Sequence, residues 1–286
     1  MSLPEKAPAA AVYTDSHAHL AHVAERLGEA ALKEVLDAYA AAGDARRNAS
    51  NNASIEEPFI LDIGTDPGDL EPRIEKLGRR PYLRFSAGLW PGKAAFENPG
   101  RALAALEADL RGGACSAVGE CGLDYFHMEA EPSVQRALFE AQALMAVEAG
   151  LPLVVHSRDA FLDTLAVVAE VAGAVPVVIH CFGYGPAEAE RFLSAGCMLS
   201  FAGNSTYKSA SQLREALAIT PADRILFETD SPYMNPLPSR GKPSTPLDLH
   251  RTIEAAAAST GRDRASLAAA AGENALRIFA GRAFGS

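Results

Sequence analysis

Six side chains of the types that bind divalent cations stand where short apolar runs of the sequence end. They are His17, His19, Glu120, His156, His180 and Asp230. Imidazole nitrogens and carboxylate oxygens bind Zn, Mn, Fe and Mg, and this donor set does not choose among those metals. Four of the chain's seven histidines belong to the set, whereas His22, His127 and His250 do not. The sequence therefore predicts a metal centre without thiolate ligands.

The two histidines after the first apolar run have the spacing of one strand face. Side chains alternate along a strand, so Asp15, His17 and His19 are expected to point the same way. Six nitrogen and oxygen ligands exceed what one tetrahedral zinc requires, and they favour two ions bridged by a shared carboxylate. Such ions, about 3.5–4 Å apart, hold a hydroxide and stabilise both oxygens of an in-line displacement. We therefore expect two divalent metal ions (Zn, Mn, Mg or Fe) as cofactors.

Eight short apolar runs alternate with longer amphipathic segments. The runs are the predicted strands, and the candidate ligands stand at their ends. The runs are 11–16, 58–64, 81–88, 114–120, 151–157, 175–180, 197–202 and 224–229. Helical spacing is found at 21–42, 101–111, 132–149 and 159–172, and Gly43, Gly150 and Gly196 are expected C-caps. Strands alternating with helices form a parallel sheet, and eight such units predict an α/β fold, a single (β/α)8 TIM barrel over residues 1–286. A doubly wound open sheet is the alternative, but no G-x-G-x-x-G or P-loop follows a strand.

Three local segments add detail to the predicted barrel. Residues 44–57 are polar and are expected to form a surface insertion. Residues 231–246 are rich in proline, and a long loop at the C-terminal face of a barrel is more often functional than ornamental. Strand four is expected to end at Glu120, where the flanking glycines, Gly119 and Gly122, allow close backbone approach.

The motifs and their order resemble the TatD-type metal-dependent deoxyribonucleases, a family in the amidohydrolase-like superfamily of metal-dependent hydrolases. The resemblance runs from Asp15 to the C-terminus. Its motifs are D-S-H-A-H-L (15–20), I-G-T-D-P (63–67), V-G-E-C-G-L-D-Y (118–125), H-S-R-D-A (156–160), H-C-F-G (180–183) and E-T-D-S-P-Y (228–233).

The resemblance implies a role for each candidate ligand. His17 and His19 would bind the first metal and His156 and His180 the second, with Glu120 bridging the two. Asp230 would bind the first metal and help to activate the nucleophilic water, so Asp230 and Glu120 are the expected catalytic residues. Family members hydrolyse phosphodiester bonds in DNA, often from the 3′ end of single strands. The implied function is that of a deoxyribonuclease or 3′-5′ exonuclease whose partner is single-stranded DNA or another phosphodiester substrate.

Four further residues are candidates for substrate binding. Trp90 stands in Gly-Leu-Trp-Pro where many family members carry Gly-Leu-His-Pro, and it is either plain packing or a stacking surface for a base. Arg158 would hold a flanking phosphate or form a salt bridge at the barrel rim. Arg240 and Lys242 lie in a basic segment that is weaker than in the family and could also hold phosphates.

Three acidic residues are expected outside the ligand set. Asp15 is expected to orient a ligand histidine. Asp124 and Glu228 would either do the same or bind backbone amides.

Two other functions fit the same residues. A barrel with these ligands can hydrolyse a small ester, lactone, amide or phosphoester, although no lysine stands at a strand end to act as a carbamylated bridge. A metal-binding protein without catalytic activity is the second alternative.

Composition indicates the cellular compartment and limits how the protein could bind nucleic acid. The four cysteines form no C-x-x-C pair, the N-terminus has no signal-peptide pattern and no apolar run is long enough to span a membrane, so we expect a cytoplasmic protein with reduced thiols. The net charge of −10 argues against generic binding to nucleic acid and allows only weak, salt-sensitive contacts at the metal site. The sequence indicates no obligate protein partner.

Overall fold

Eight parallel strands form a barrel in the computed structural model, which describes residues 12–49 and 57–279. The strands are β1 (Asp15–Ala18), β2 (Ile60–Asp62), β3 (Leu83–Ala87), β4 (Ala117–Asp124), β5 (Leu153–Arg158), β6 (Val177–Ile179), β7 (Met198–Phe201) and β8 (Ile225–Phe227). Each pairs in parallel with the next along the chain. A parallel bridge between Ala18 and Ser231 joins β1 to the segment that follows β8. The predicted (β/α)8 barrel is confirmed.

Helices follow the strands and cover the outside of the barrel. They are α1 (Leu20–Leu27), α2 (Glu29–Ala49), α3 (Leu70–Leu77), α4 (Lys93–Glu97), α5 (Pro99–Arg111), α6 (Pro132–Ala149), α7 (Phe161–Val171), α8 (Pro186–Ser194), α9 (Ser211–Ile219), α10 (Leu249–Thr260) and α11 (Arg264–Phe279). Short 3-10 turns lie at Gly203–Thr206, Ala222–Arg224 and Pro246–Asp248. No helix in the described ranges is long and apolar enough to cross a membrane.

The first helical segment differs from the prediction in two ways. It is divided at Gly28, whose positive φ of 90° and N–H bond to the Ala24 carbonyl end α1. The second helix then continues through Gly43, which is not a C-cap, as far as Ala49. Residues 44–49 of the predicted insertion are therefore helical, and residues 50–56 lie outside the described part of the chain. Gly150 ends α6 in the left-handed conformation, as expected.

Alternating side chains divide the strands into two faces. Val155 and Ile179 pack outward in the large cluster beneath the helices, while Val154 and Val178 belong to a smaller cluster that includes Phe279 of α11. The smaller cluster fills the inner face of the barrel. His156 and His180 each follow an inward-facing valine by two residues, so their side chains share this inner face.

β4 continues to Asp124 instead of ending at Glu120 as predicted. Its pairing with β5 shifts register between Val118 and Cys121 and then runs on to the pair of Asp124 with Arg158. Gly119 and Gly122 have φ of 133° and 141°, and a Cβ at either would overlap a carbonyl oxygen of β5. The glycines thus let β4 lie against β5 and place Glu120 inside the barrel mouth.

Replacing Gly122 with alanine is expected to lower the free energy of unfolding by about 2–6 kcal/mol, since backbone strain adds to a steric overlap. The overlap would be with the His156 carbonyl group. Urea unfolding of the variant measures the loss. Gly150→Ala is the matched control because Gly150 also has positive φ but has open space around it, and it should lose only about 1–2 kcal/mol. Equal losses in the two variants would contradict the close approach of β4 and β5.

Candidate metal centre

The structure brings all six predicted ligands together at the C-terminal end of the barrel. Glu120 lies at the centre, between two pairs of histidines. Its Oε2 lies 3.2 Å from His17 Nε2 and 3.7 Å from His19 Nε2. Its Oε1 lies 2.9 Å from both His156 Nδ1 and His180 Nε2. The two oxygens of one carboxylate therefore face different histidine pairs.

Asp230 stands beside the first pair. Its Oδ1 lies 3.5 Å from His19 Nε2 and 3.9 Å from His17 Nε2, and those two nitrogens are 3.3 Å apart. We call His17, His19 and Asp230 the first group, and Glu120, His156 and His180 the second group. Within each group the candidate ligand atoms lie within 4.8 Å of one another. A third combination of His17, His180 and Glu228 also meets that distance.

The barrel positions each ligand through the end of a strand. His17 belongs to β1 and His19 follows it directly, at the start of α1. His156 lies in β5, and His180 comes immediately after β6. Asp230 follows β8 with φ of 48°, in the left-handed region, and its backbone N–H donates to the His17 carbonyl. The first and last strands thus hold the first group together.

The carboxylates of this cluster are buried, so they require positive charge close to them. Both carboxylates and the histidines of the first group are at most 7% exposed. Burial alone would raise the pKa of Glu120, but the imidazoles of His180, His156 and His17 hold it well below its usual value. Burial lowers the pKa of His17, which favours the neutral ring that a metal requires. Despite burial, the neighbouring carboxylates raise the pKa of His19, His156 and His180. The buried carboxylates are therefore compensated by protons on these rings or by cations that replace those protons. The donor set therefore fits divalent metal ions.

Two further carboxylates hold the histidines of the second group. Asp124 Oδ2 lies 3.1 Å from His156 Nε2. Glu228 Oε1 lies 3.3 Å from His180 Nδ1 and accepts a 2.6 Å hydrogen bond from the backbone N–H of Cys181. Asp124 also accepts backbone N–H bonds, so both acids orient a histidine and bind amides as well. By binding one ring nitrogen, each leaves the other nitrogen facing Glu120.

Asp15 does not orient a histidine ring, contrary to the prediction. Its carboxylate accepts bonds from the backbone N–H of His17 and from the N–H and hydroxyl of Thr229. Burial raises the pKa of Asp15 to about 7, although the bonds from Thr229 oppose this effect. Two residues along a strand span roughly 6–7 Å, so Asp15 lies deeper in the barrel than the ligand rings. It joins β1 to the end of β8.

Replacing Glu228 with glutamine is expected to weaken metal binding about 10–100-fold, because a neutral amide replaces the charged carboxylate that orients the His180 ring and raises its basicity. Titration of the metal-free variant with a divalent ion measures the change. Glu215→Gln, the same substitution at an exposed position of α9, should leave the affinity unaltered. Equal affinities for the Glu228 variant and the unmodified protein would show that Glu228 only binds backbone.

A cavity of about 740 Å³ opens over the ligands, and two of the four predicted substrate-binding residues line it. Trp90 contacts His156 edge to face, with ring centroids 5.8 Å apart. The guanidinium of Arg158 lies 3.9 Å from the centroid of the Phe126 ring. In residues 12–49 and 57–279, Arg158 has no ion pair, so the alternative of a rim salt bridge is not observed.

Arg240 and Lys242 do not line the cavity. Both are exposed, and the guanidinium of Arg240 lies 4.3 Å from the centroid of the Tyr207 ring. The Lys242 N–H donates to the Ser239 carbonyl, which folds this part of the loop into a turn. The basic side chains of the loop are therefore outside the cavity in this structure.

Several cavity residues were not identified from the sequence. They are His22, Lys93, His127, Tyr184 and Tyr233. His22 follows His19 by one turn of helix, and its Nδ1 lies 3.0 Å from the Tyr233 hydroxyl. His127 follows Asp124 by three residues, and its Nδ1 lies 2.7 Å from Asp124 Oδ2. The sequence signal for each histidine was its distance of three residues from a site residue, but neither histidine stands at the end of a predicted strand.

Comparison with known proteins gives consistent results over nearly the whole chain. A family model described as TatD related DNase matches residues 14–280. YcfH of Escherichia coli K12, named an uncharacterized metal-dependent hydrolase, is 33% identical over 270 residues, covering 93% of this chain and 94% of that protein. A protein of Erwinia billingiae named 3′-5′ ssDNA/RNA exonuclease TatD is 32% identical over 227 residues, covering 77% and 87%.

A solved structure supports the fold independently. The crystal structure of YjjV, a TatD homologue from Escherichia coli K12, matches with a TM-score of 0.81 and 24% identity, over 94% of this chain and 98% of that one. This likeness shows the barrel alone. The family model and the relatives of similar length show more: the chain belongs to the TatD related DNase family of metal-dependent hydrolases.

Proposed function

We propose that this protein is a divalent-metal-dependent nuclease that removes nucleotides from the 3′ end of single-stranded DNA. One observation carries the proposal: the two oxygens of Glu120 face different histidine pairs, as a carboxylate shared by two metal ions would. A relative named 3′-5′ ssDNA/RNA exonuclease supports the choice of bond and of strand.

The residues of the cluster would have two roles, which are to bind metal ions and to orient the metal-binding rings. His17, His19 and Asp230 would hold one ion, and His156 and His180 the other, with Glu120 between them. Bound divalent ions lower the pKa of water and neutralise charge on phosphoryl oxygens. Asp124 and Glu228 hold the two imidazoles of the second group in the required orientation.

Asp230 would accept the proton of the attacking water. It is largely buried yet lines the cavity, so one side of its carboxylate is open to a small molecule. The neighbouring imidazoles hold the pKa of Asp230 below its usual value despite burial, which keeps the carboxylate ionised. An ionised carboxylate within reach of the water is the requirement for a general base.

The test uses single-stranded oligonucleotides labelled at the 5′ end. Protein freed of metal with a chelator should be inactive, and addition of Mg, Mn or Zn should restore shortening of the strand from its unlabelled 3′ end. A phosphorylated 3′ terminus and a 3′-labelled strand serve as controls for polarity. Hydrolysis of a lactone or carboxylic ester panel without any cleavage of phosphodiesters would contradict the proposal. Bound metal without turnover on either class would indicate a binding protein.

A further inference from the structure

A continuous row of planar groups leads from the metal centre to the surface. The ring of His156 contacts Trp90 at 5.8 Å, and Trp90 contacts His127 at 6.1 Å. His127 contacts Phe126 at 5.0 Å, and the guanidinium of Arg158 lies over the other end of the row, 3.9 Å from the Phe126 centroid. We call Trp90, His127, Phe126 and Arg158 the aromatic row.

Exposure increases along the row. Trp90 is partly buried, the His127 side chain is 45% exposed, and Phe126 is 59% exposed. A phenylalanine this exposed contributes little to the core, and its ring lies perpendicular to the His127 ring. Trp90, His127 and Arg158 line the cavity, and Phe126 lies beside its rim, against His127 and under the Arg158 guanidinium. The row thus places ring surfaces along the path of a molecule that enters the cavity from solvent.

The inner end of the row is held rigidly. The backbone N–H of Trp90 donates to the Thr65 carbonyl, and the Trp90 ring occupies the space that a Cβ at position 92 would need. Gly92 therefore permits the position of the indole. On the neighbouring loop, Asp124 holds His127 with a 2.7 Å contact and binds its backbone N–H. A pre-formed surface of this kind loses little conformational entropy when a ligand binds.

The charged side chains of the cavity do not provide another source of affinity for a nucleic acid. Two cations of the cavity, Lys93 and Arg158, are offset by two exposed carboxylates, Asp66 and Asp159. The whole chain carries a net charge of −10 and would repel an extended polyanion. Affinity for a nucleic acid must then come from the metal centre and from contacts with the bases.

We propose that the aromatic row binds the bases of the strand next to the scissile phosphate by stacking. This inference rests on the proposed nuclease function and specifies how that site selects its substrate. Stacking on the row requires unpaired bases with free faces, whereas paired bases in a duplex already stack on one another. The row therefore selects single strands, with little dependence on base identity.

Fluorescence tests the inference directly, because Trp90 is the only tryptophan in the chain. Metal-loaded protein is titrated with a short phosphorothioate oligothymidylate, which resists hydrolysis, and with an abasic phosphorothioate strand of equal length and charge. We expect the thymidylate strand to quench the tryptophan emission and the abasic strand to bind at least about fivefold more weakly. Absence of quenching, or equal affinity for the two strands, would overturn the inference.

A variant tests the outer part of the row. Phe126→Leu keeps an apolar side chain but removes the stacking face, and it should raise KM for oligothymidylate about five- to tenfold. Leu162→Ala is the matched control, since Leu162 is 66% exposed on α7 and does not belong to the row. An unchanged KM for Phe126→Leu, or equal increases in both variants, would overturn the role of Phe126.

The two proposals can fail separately. Hydrolysis of bis(p-nitrophenyl) phosphate by the unaltered metal-loaded protein tests the phosphodiesterase chemistry without a nucleobase. If that activity and nuclease activity are both absent, the proposed function is wrong. If they are present while abasic and thymidylate strands bind equally, only the aromatic row is wrong.

Discussion

Replacing Glu120 with glutamine is expected to lower the kcat for single-stranded DNA by more than about 100-fold and to remove at least one metal ion. Loss of a residue that only orients a metal ligand already lowers metal affinity or activity about 10–100-fold. Glu120 contacts four histidines through two oxygens. Glutamine keeps one oxygen and turns an N–H₂ donor towards the other pair, so it can serve only one of the two groups.

Metal content per protein molecule, measured together with kcat, checks this prediction. Glu254→Gln, the same change at an exposed position of α10, should retain both metal and activity. A Glu120 variant that keeps its full metal content and its activity would contradict the shared carboxylate and, with it, the two-metal interpretation.

The second large effect is expected for Asp230→Asn. Asparagine keeps a carbonyl oxygen as a metal ligand but is a very poor proton acceptor, and loss of a general base typically costs about 10²–10⁴-fold in rate. The decrease should therefore fall on kcat and exceed any loss of bound metal. Single-turnover rates at saturating metal separate these two quantities.

Asp223→Asn is a suitable control because Asp223 is exposed and lies in the 3-10 turn before β8. Near-normal single-turnover rates in the Asp230 variant would assign proton transfer to another group. A parallel loss of metal and rate would instead make Asp230 a ligand without a separate catalytic role.

The periodic part of the structure was predictable because it depends on local patterns. Every strand overlaps an apolar run, and ligands such as His156 and His180 follow inward-facing valines at a spacing of two. Since parallel strand ends meet at one edge, the site followed from the barrel. The end of β4 was misplaced because a glycine-rich, polar sequence has the composition of a turn, while its pairing with β5 depends on the neighbouring strand.

Loop contacts were not predictable, since they depend on the path of the backbone after each strand. Arg240 and Lys242 were expected near phosphates, but their loop turns them away from the cavity. Phe126 and His127 were overlooked, although they follow Asp124 by two and three residues, because nothing in the local sequence shows that the His127 ring contacts both Trp90 and Phe126. The barrel thus positions the candidate ligands, whereas the loops after the strands form much of the cavity above them.

The seam between β1 and β8 has a consequence for the order in which the protein matures. The first group joins His17 and His19 to Asp230, and backbone bonds from Asp230 to His17 and from His19 to Ser231 close the same seam. The second group lies entirely between Glu120 and His180, in neighbouring strands. During synthesis these three residues can come together while the C-terminal third of the chain is still missing, but His180 then lacks the contact with Glu228 that orients its ring. The residues of the first group come together only when the two ends of the barrel meet, so a metal ion held by this group would bind only after the barrel has closed.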